Sequence, residues 1–330
     1  MQPFFSILIP VYNQVGLMDH CIASLKAQTF PDFEVIFVND GSTDGSQAML
    51  EEYCREDSRF RAVAHERNRS LVTARYTGMQ NARGQYILFL DSDDWLDEDT
   101  CETLHAYLAE KPVDLLRFGF VEEPDGKEYR ADVEYEDPLD AQMNSLISPA
   151  LVKNCCSAAL VARALERTHP FYCNMSEDVY WSSIMFSSAQ SFGRIDRTFY
   201  HYLQGVGMST QKRTTPAALA RSVKSIVDMS RELYAYMEVW CPKYLDKARE
   251  RIGIALRYTL TNAVFPETDF YAIAEMLHTV NQPDCRGLFE DACRDLLPLT
   301  ARRIWGISNE VLEQLGLECP PITWFSKDVL

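Results

Sequence analysis

Over residues 4–120 the chain alternates between two patterns without an internal sequence repeat: short, largely apolar runs, and amphipathic stretches at helical spacing. The runs are "FFSILIPVY" (4–12), "FEVIFVN" (33–39), "RFRAVAHE" (59–66), "QYILFLD" (85–91) and "VDLLRFGF" (113–120). Between them lie stretches such as "VGLMDHCIASLKAQTF", with Leu17, Cys21, Ile22 and Leu25 at helical spacing, and "SLVTARYTGMQNARG", which ends at Gly84. A strand without a polar face must be covered above and below, and parallel strands need a crossover helix between them. The alternation therefore predicts an α/β fold with a mostly parallel central sheet flanked by helices.

Further along, "EEPDGKEY" contains an Asp-Gly hairpin signal, "SEDVYWSSIMFSSA" reads as a helix, and "RIDRTFYHYL" reads as a strand. "SAALVARALE" fits either state. From Thr215 onward helix follows helix, beginning with "PAALARSVKSIVDMSRELYAYMEVW" and "KYLDKARERIGIALRYTLTNAVF". The 330 residues, 47% hydrophobic and 24% charged, are of a length for one large domain or two. The change of pattern divides them into residues 1–212 and an α-helical C-terminal subdomain, 213–330.

In open α/β sheets ligands bind beyond the carboxyl ends of the strands. Two acidic turns lie at such ends: "VNDGSTD" after the second strand and "LDSDD" after the fourth. Asp91, Asp93 and Asp94 crowd three carboxylates together, which is unfavourable unless a cation sits among them. Mg²⁺ or Mn²⁺ is suited to this, because hard cations take carboxylate and phosphate oxygens together. In extended backbone Asp91 and Asp93 would converge, while Ser92 and Asp94 point away. The competing reading is a solvated acidic turn with Asp94 capping the next helix.

Several classes of function are disfavoured. A net charge of -16 argues against nucleic acid held on a broad basic surface. There is no Walker loop and no GxGxxG between strand and helix; "GVGMST" (205–210) lacks the third glycine. The ten cysteines, with Cys155 and Cys156 adjacent, show no metal-ligand spacing and read as reduced, buried thiols. The N-terminus has no basic region before Pro10, and no apolar stretch approaches the ~20 residues of a membrane span. The expected location is cytoplasmic, at most against the inner face of a membrane.

"SILIPVYNQ", "VIFVNDGSTDGS", "ARGQYILFLDSDDWL" and "SEDVYW" follow one another in this order. Together they resemble the family 2 glycosyltransferases, inverting enzymes of GT-A fold that use nucleotide-sugar donors. The resemblance covers roughly residues 4–210. It implies that Pro10, Tyr12 and Asn13 line the nucleotide base and that Asp40 accepts a hydrogen bond from a uracil ring. Arg75 would lie near the base and phosphates. Asp91, with Ser92, would meet the ribose, and Asp93 would hold Mn²⁺ or Mg²⁺, with His201 as a further metal ligand. Asp178 would be the catalytic base. The stretch "NRSLVTARYTG" (68–78) departs from a run common in the family, Asn-x-Gly-Leu-Ser-x-Ala-Arg-Asn-x-Gly. Arg75 and Gly78 are kept, whereas Ser70, Val72 and Tyr76 stand where Gly, Ser and Asn are usual, which bears on how the donor is seated.

The implied reaction moves a sugar from a UDP-sugar to a hydroxyl of a saccharide or lipid-linked acceptor, in cell-surface polysaccharide synthesis. Two other readings compete: a non-catalytic nucleotide-sugar-binding module, and a nucleotidyltransferase. The latter calls for a basic, Gly-rich loop after the first strand, which "IPVYNQVGL" lacks. Alternatives stay open for single features. Glu177 and Asp178 also suit any helix N-terminus, and His201 also suits an ordinary packed position. The loop 203–213, with Ser209, Lys212 and Arg213, reads as a lid or a linker. "LTARRIWGI" (299–307) reads as helical core or peripheral membrane contact, and the helical region as an acceptor or homo-oligomer surface.

Overall fold

The computed structural model describes residues 2–131, 151–174, 177–205, 216–249 and 252. The segment around Ser209, Lys212 and Arg213, most of the second C-terminal helix and the stretch 299–307 lie outside these residues.

The strands are β1 (Phe5–Val11), β2 (Phe33–Asn39), β3 (Phe60–Ala64), β4 (Tyr86–Phe89), β5 (Trp95–Leu96), β6 (Leu115–Glu123), β7 (Lys127–Tyr129), β8 (Asn154–Ser157) and β9 (Phe192–Leu203). The helices of the same region are α1 (Asp19–Lys26), α2 (Ser46–Glu56), α3 (Leu71–Asn81), α4 (Thr100–Glu110), α5 (Ala158–Glu166) and α6 (Glu177–Ser188). The sheet runs β3-β2-β1-β4-β8-β6-β9-β5, with β7 on β6. β3, β2, β1 and β4 are parallel. β8 then enters antiparallel to both β4 and β6, so β6 and β9 keep the direction of the first four strands. The sheet is thus mixed, with a parallel half built from the strand–helix alternation.

Every residue of β2 is buried, as the absence of a polar face requires. α3 covers β1 and β2 closely: a Cβ on Gly78 would stand 3.3 Å from Leu8 Cδ1 and 3.5 Å from Val38 Cγ2. "SAALVARALE" resolves as helix α5, because the Ser157 hydroxyl accepts from Leu160 N at 3.0 Å and caps it. The hairpin turns at Gly126, at φ 66°. The seven described cysteines are free, and all but Cys54 are buried.

β1 leads to β2 and β3 on one side, while β4 lies on its other side. The carboxyl ends of β1 and β4 therefore flank a point where the strand order reverses, the usual place for a ligand crevice. Both acidic turns open there.

The chain divides into two compact units, Met1–Gln211 and Lys212–Leu330. In the second, α7 (Pro216–Trp240) buries Ile226, Met229, Leu233 and Met237 along one stripe. No helix among the described residues is long and apolar enough to cross a membrane.

Candidate active site

At the carboxyl end of the sheet a charged cluster gathers around Arg75. It lies on α3 and is 1% exposed. One guanidinium nitrogen donates to Asp91 Oδ1 at 2.9 Å, and the other donates to Asp178 Oδ1 at 2.8 Å and lies 3.6 Å from Glu177 Oε1. Three carboxylates from two distant segments thus share one buried cation. Burial would lower the pKa of Arg75, but the charges of Asp91, Asp178 and Glu177 outweigh it and raise it. The carboxylates gain less from the sharing. Burial raises Asp91 despite the Arg75 ion pair, and burial with the neighbouring Asp178 pushes Glu177 up to about 7. The Asp178 side chain remains 30% exposed, so it faces both Arg75 and solvent.

Asp93 and Asp94 have no ion-pair partner among the described residues. Asp94 turns inward and is 1% exposed. It accepts from the Tyr200 hydroxyl and, at 2.8 Å, from Leu203 N. The same hydroxyl accepts from Asp91 N at 3.2 Å, so Tyr200 pins the whole turn. Burial, then Asp91 and Asp93, push Asp94 up to about 9. Asp94 is therefore neither solvated nor a helix cap: α4 starts later, with Asp99 as its N-cap residue. Ser92 is buried. Asp93 stays partly exposed, pushed up to about 6 by burial and by Asp91.

On the other side of the crevice the β1–α1 and β2–α2 loops are laced together. Asn13 N donates to Ser42 Oγ at 3.0 Å, Thr43 N to Asn13 Oδ1 at 2.8 Å, and Gln14 N to Ser46 Oγ at 2.9 Å. Asn13 adopts φ 55° to make this seam, and Tyr12 stands 36% exposed next to Pro10 and Val11 at the end of β1. Asp40 is 3% exposed. Its oxygens accept from Arg69 N and Ser70 N, both at 2.8 Å, and meet His65 Nδ1 at 2.7 Å. His65 Nε2 reaches Thr77 Oγ1 at 2.9 Å. Gly41 permits this, since at φ 68° a Cβ would stand 2.3 Å from the Arg67 carbonyl carbon. Asp40 thus anchors segment 65–70 in addition to whatever it offers a ligand.

His201 follows Tyr200 on β9 and pairs with Trp95 of β5. Its Nδ1 meets Glu123 Oε1 at 2.9 Å, its Nε2 meets Asp97 Oδ1 at 3.0 Å, and its ring stacks on Trp95 at 5.2 Å between centroids. Both nitrogens are engaged, so ligation of a metal would require one of these bonds to be given up.

No group of three or more His, Cys, Asp or Glu side chains among the described residues is arranged to hold a metal ion. Asp93, partly exposed and without an ion-pair partner among the described residues, offers an oxygen donor of the kind that Mg²⁺ or Mn²⁺ takes.

Residues 6–168 match the family described as Glycosyl transferase family 2. EpsH of Bacillus subtilis (strain 168), named as a glycosyltransferase, is 30% identical over 230 residues, covering 66% of this chain and 67% of EpsH. The chain belongs to glycosyltransferase family 2. The minor teichoic acid biosynthesis protein GgaB of the same organism is 26% identical over 237 residues, which span 69% of this chain but 26% of GgaB. Among solved structures, S. aureus TarS 1-349 superposes with a TM-score of 0.58 at 19% identity, covering 90% of this chain and 86% of that one. Mannosyltransferase PcManGT from Pyrobaculum calidifontis, in complex with GDP-Man and Mn²⁺, gives 0.52 at 16% identity, covering 93% and 89%. These likenesses establish the GT-A fold.

In this glycosyltransferase the structure brings Arg75, Asp91 and Asp178 together, binds Asn13 to Ser42 and Thr43, and engages both His201 ring nitrogens with Glu123 and Asp97. Sequence reasoning missed Glu177 as a third partner of Arg75, and it missed Tyr200. Alternation along β9 carries the signal for Tyr200, since it must face opposite to His201.

Proposed function

We propose that this chain is an inverting transferase that moves a sugar from a UDP-sugar to a hydroxyl of a saccharide or lipid-linked acceptor. The observation that carries the reading is the convergence of Asp91 and Asp178 on buried Arg75 at the carboxyl end of β4.

Asp178 takes the proton of the acceptor hydroxyl as that oxygen attacks the anomeric carbon. The bond to the nucleoside diphosphate breaks on the opposite face, so the configuration inverts. Arg75 keeps the Asp178 carboxylate aimed, and ties it to the turn that carries Asp91 and Asp93. Asp91 and Ser92 meet the ribose, and Pro10, Tyr12, Asn13 and the Asp40 region form the base side. Asp93 would hold Mn²⁺ or Mg²⁺, which when bound offsets the charge developing on the leaving diphosphate. His201 joins that cation only by releasing Asp97 or Glu123; unchanged Mn²⁺ affinity in His201→Ala removes it from the ligand set.

A UDP donor is supported by the resemblance and by TarS, whose related structure is a complex with UDP-GlcNAc. A cell-surface polymer as product is supported by the name of GgaB. The test is UDP or GDP release from UDP-GlcNAc, UDP-glucose, UDP-galactose and GDP-mannose, with and without MnCl₂. Metal-dependent release from a UDP-sugar is expected. Metal-dependent binding without release in the presence or absence of acceptor saccharides favours a binding module instead.

A further inference from the structure

Ser70 is buried and holds φ 85° and ψ 161°, a backbone region that is essentially reserved for glycine. Such a conformation persists only where its surroundings over-determine it. Here they do. The Ser70 amide donates to Asp40 Oδ2 at 2.8 Å. Its hydroxyl donates to the Phe171 carbonyl at 3.2 Å and accepts from Cys173 N at 2.9 Å.

The next residues extend the seam. Leu71 N donates to Asn174 Oδ1 at 3.0 Å, Val72 N to the Cys173 carbonyl at 3.4 Å, and Thr73 Oγ1 to the Phe171 carbonyl at 2.9 Å. The Ser70 side chain makes no cap bond within α3, so amides of the first turn are satisfied by segment 171–174 instead. Asn174 precedes Asp178 by only four positions, and Arg75, one turn into α3, grips Asp178 directly. The same two chain segments therefore meet twice, once at the seam and once at the carboxylate.

We infer that Ser70 is a positioning residue: its strained backbone and its hydroxyl lock α3 to segment 171–174, so that Arg75 and Asp178 meet at the spacing the transfer needs. The inference rests on Asp178 being the base. A purely stabilising role would make different predictions, because glycine accepts φ 85° freely and relieves the strain while removing the hydroxyl.

The test compares the full-length Ser70→Gly chain with the wild type. Its thermal midpoint should stay within about 3 °C, as lost hydrogen bonds and relieved strain offset each other. Amide exchange in the peptide covering 171–178 should rise. The kcat for UDP release from UDP-GlcNAc should fall roughly tenfold with KM within twofold, the pattern of a misplaced base. Asn174→Ala, which removes one seam bond without touching the strain, should move both readouts in the same direction by less. Wild-type exchange in 171–178, or wild-type kcat, overturns the inference. So does a drop in midpoint with a parallel loss of UDP–Mn²⁺ affinity, which would make the seam a general stabiliser. Asp178→Asn separates the two claims: if it is active, the base assignment fails while exchange still judges the seam; if it is inactive beside an active Ser70→Gly, the seam fails alone.

Discussion

The two ends of the sheet treat carboxylates in opposite ways. At the amino end, Glu34 on β2 is 8% exposed and fully served. It accepts from Ser6 Oγ at 2.7 Å, from Arg83 N at 2.8 Å and from Arg61 Nε at 2.9 Å. Burial would raise its pKa, but Arg61, Ser6 and Arg83 together outweigh burial and hold it below the ordinary value. At the carboxyl end, burial wins: Asp93 is pushed up to about 6, Glu177 to about 7 and Asp94 to about 9. The residue types are the same and the donor supply differs. One end is closed and contributes stability; the other holds more carboxylates than cationic partners among the described residues, and such perturbed groups mark candidate functional sites.

The largest effect expected concerns the base. Asp178→Asn should lower sugar transfer by about 10²–10⁴-fold, the range for loss of general-base catalysis, while UDP–Mn²⁺ affinity measured by calorimetry stays near wild type. Unchanged turnover would take Asp178 out of the mechanism and reduce the carboxyl end to another structural cluster.

The two buried-end arginines provide the next contrast. Arg75→Met should cost about 3 kcal/mol in urea unfolding, because it strands three carboxylates around one vacated cation. Arg61 is 26% exposed at its side chain, so Arg61→Met should cost nearer ~1 kcal/mol. A reversal of that order would break the comparison.

The pH dependence should differ in sign at the two ends. Glu34 has a lowered pKa in the folded state. Its contribution is present above the unfolded value of about 4.3 and is lost as pH falls through the folded one. Glu34→Gln, costing about 1–2 kcal/mol at neutral pH, should flatten the acid limb of a stability–pH curve. Asp93 and Glu177 have raised values, so the folded protein holds extra protons between about pH 4 and 7, and stability falls as pH rises through that window. Glu177→Gln should remove part of that slope, and MnCl₂ with UDP should lessen it. A slope unchanged by either would deny the surplus charge at the crevice.

The smallest effect sharpens the picture. With Asp94 pushed up to about 9, Asp94→Asn is expected to exchange one uncharged group at pH 7 for another of the same shape. It should change stability by less than about 1 kcal/mol and leave the turn in place. A large loss would mean that Asp94 is ionised in the folded protein.

Much of this molecule could be derived from the sequence. The run-and-helix alternation determined the parallel half of the sheet, and it put "VNDGSTD" and "LDSDD" after β2 and β4 at the sheet's carboxyl end. These are local patterns, and local patterns encode which face of an element meets water. Only the tertiary structure decided who pairs with whom. Arg75 joins residues 16 and 103 positions away, and the Tyr200 hydroxyl reaches a carboxylate 106 positions away. His201 is held between Glu123 and Asp97, partners that no motif announces. Ser70 owes its backbone to a segment about a hundred residues on. Charge, proton affinity and strain depend on desolvation and on distances through space, and neither exists until the chain has folded.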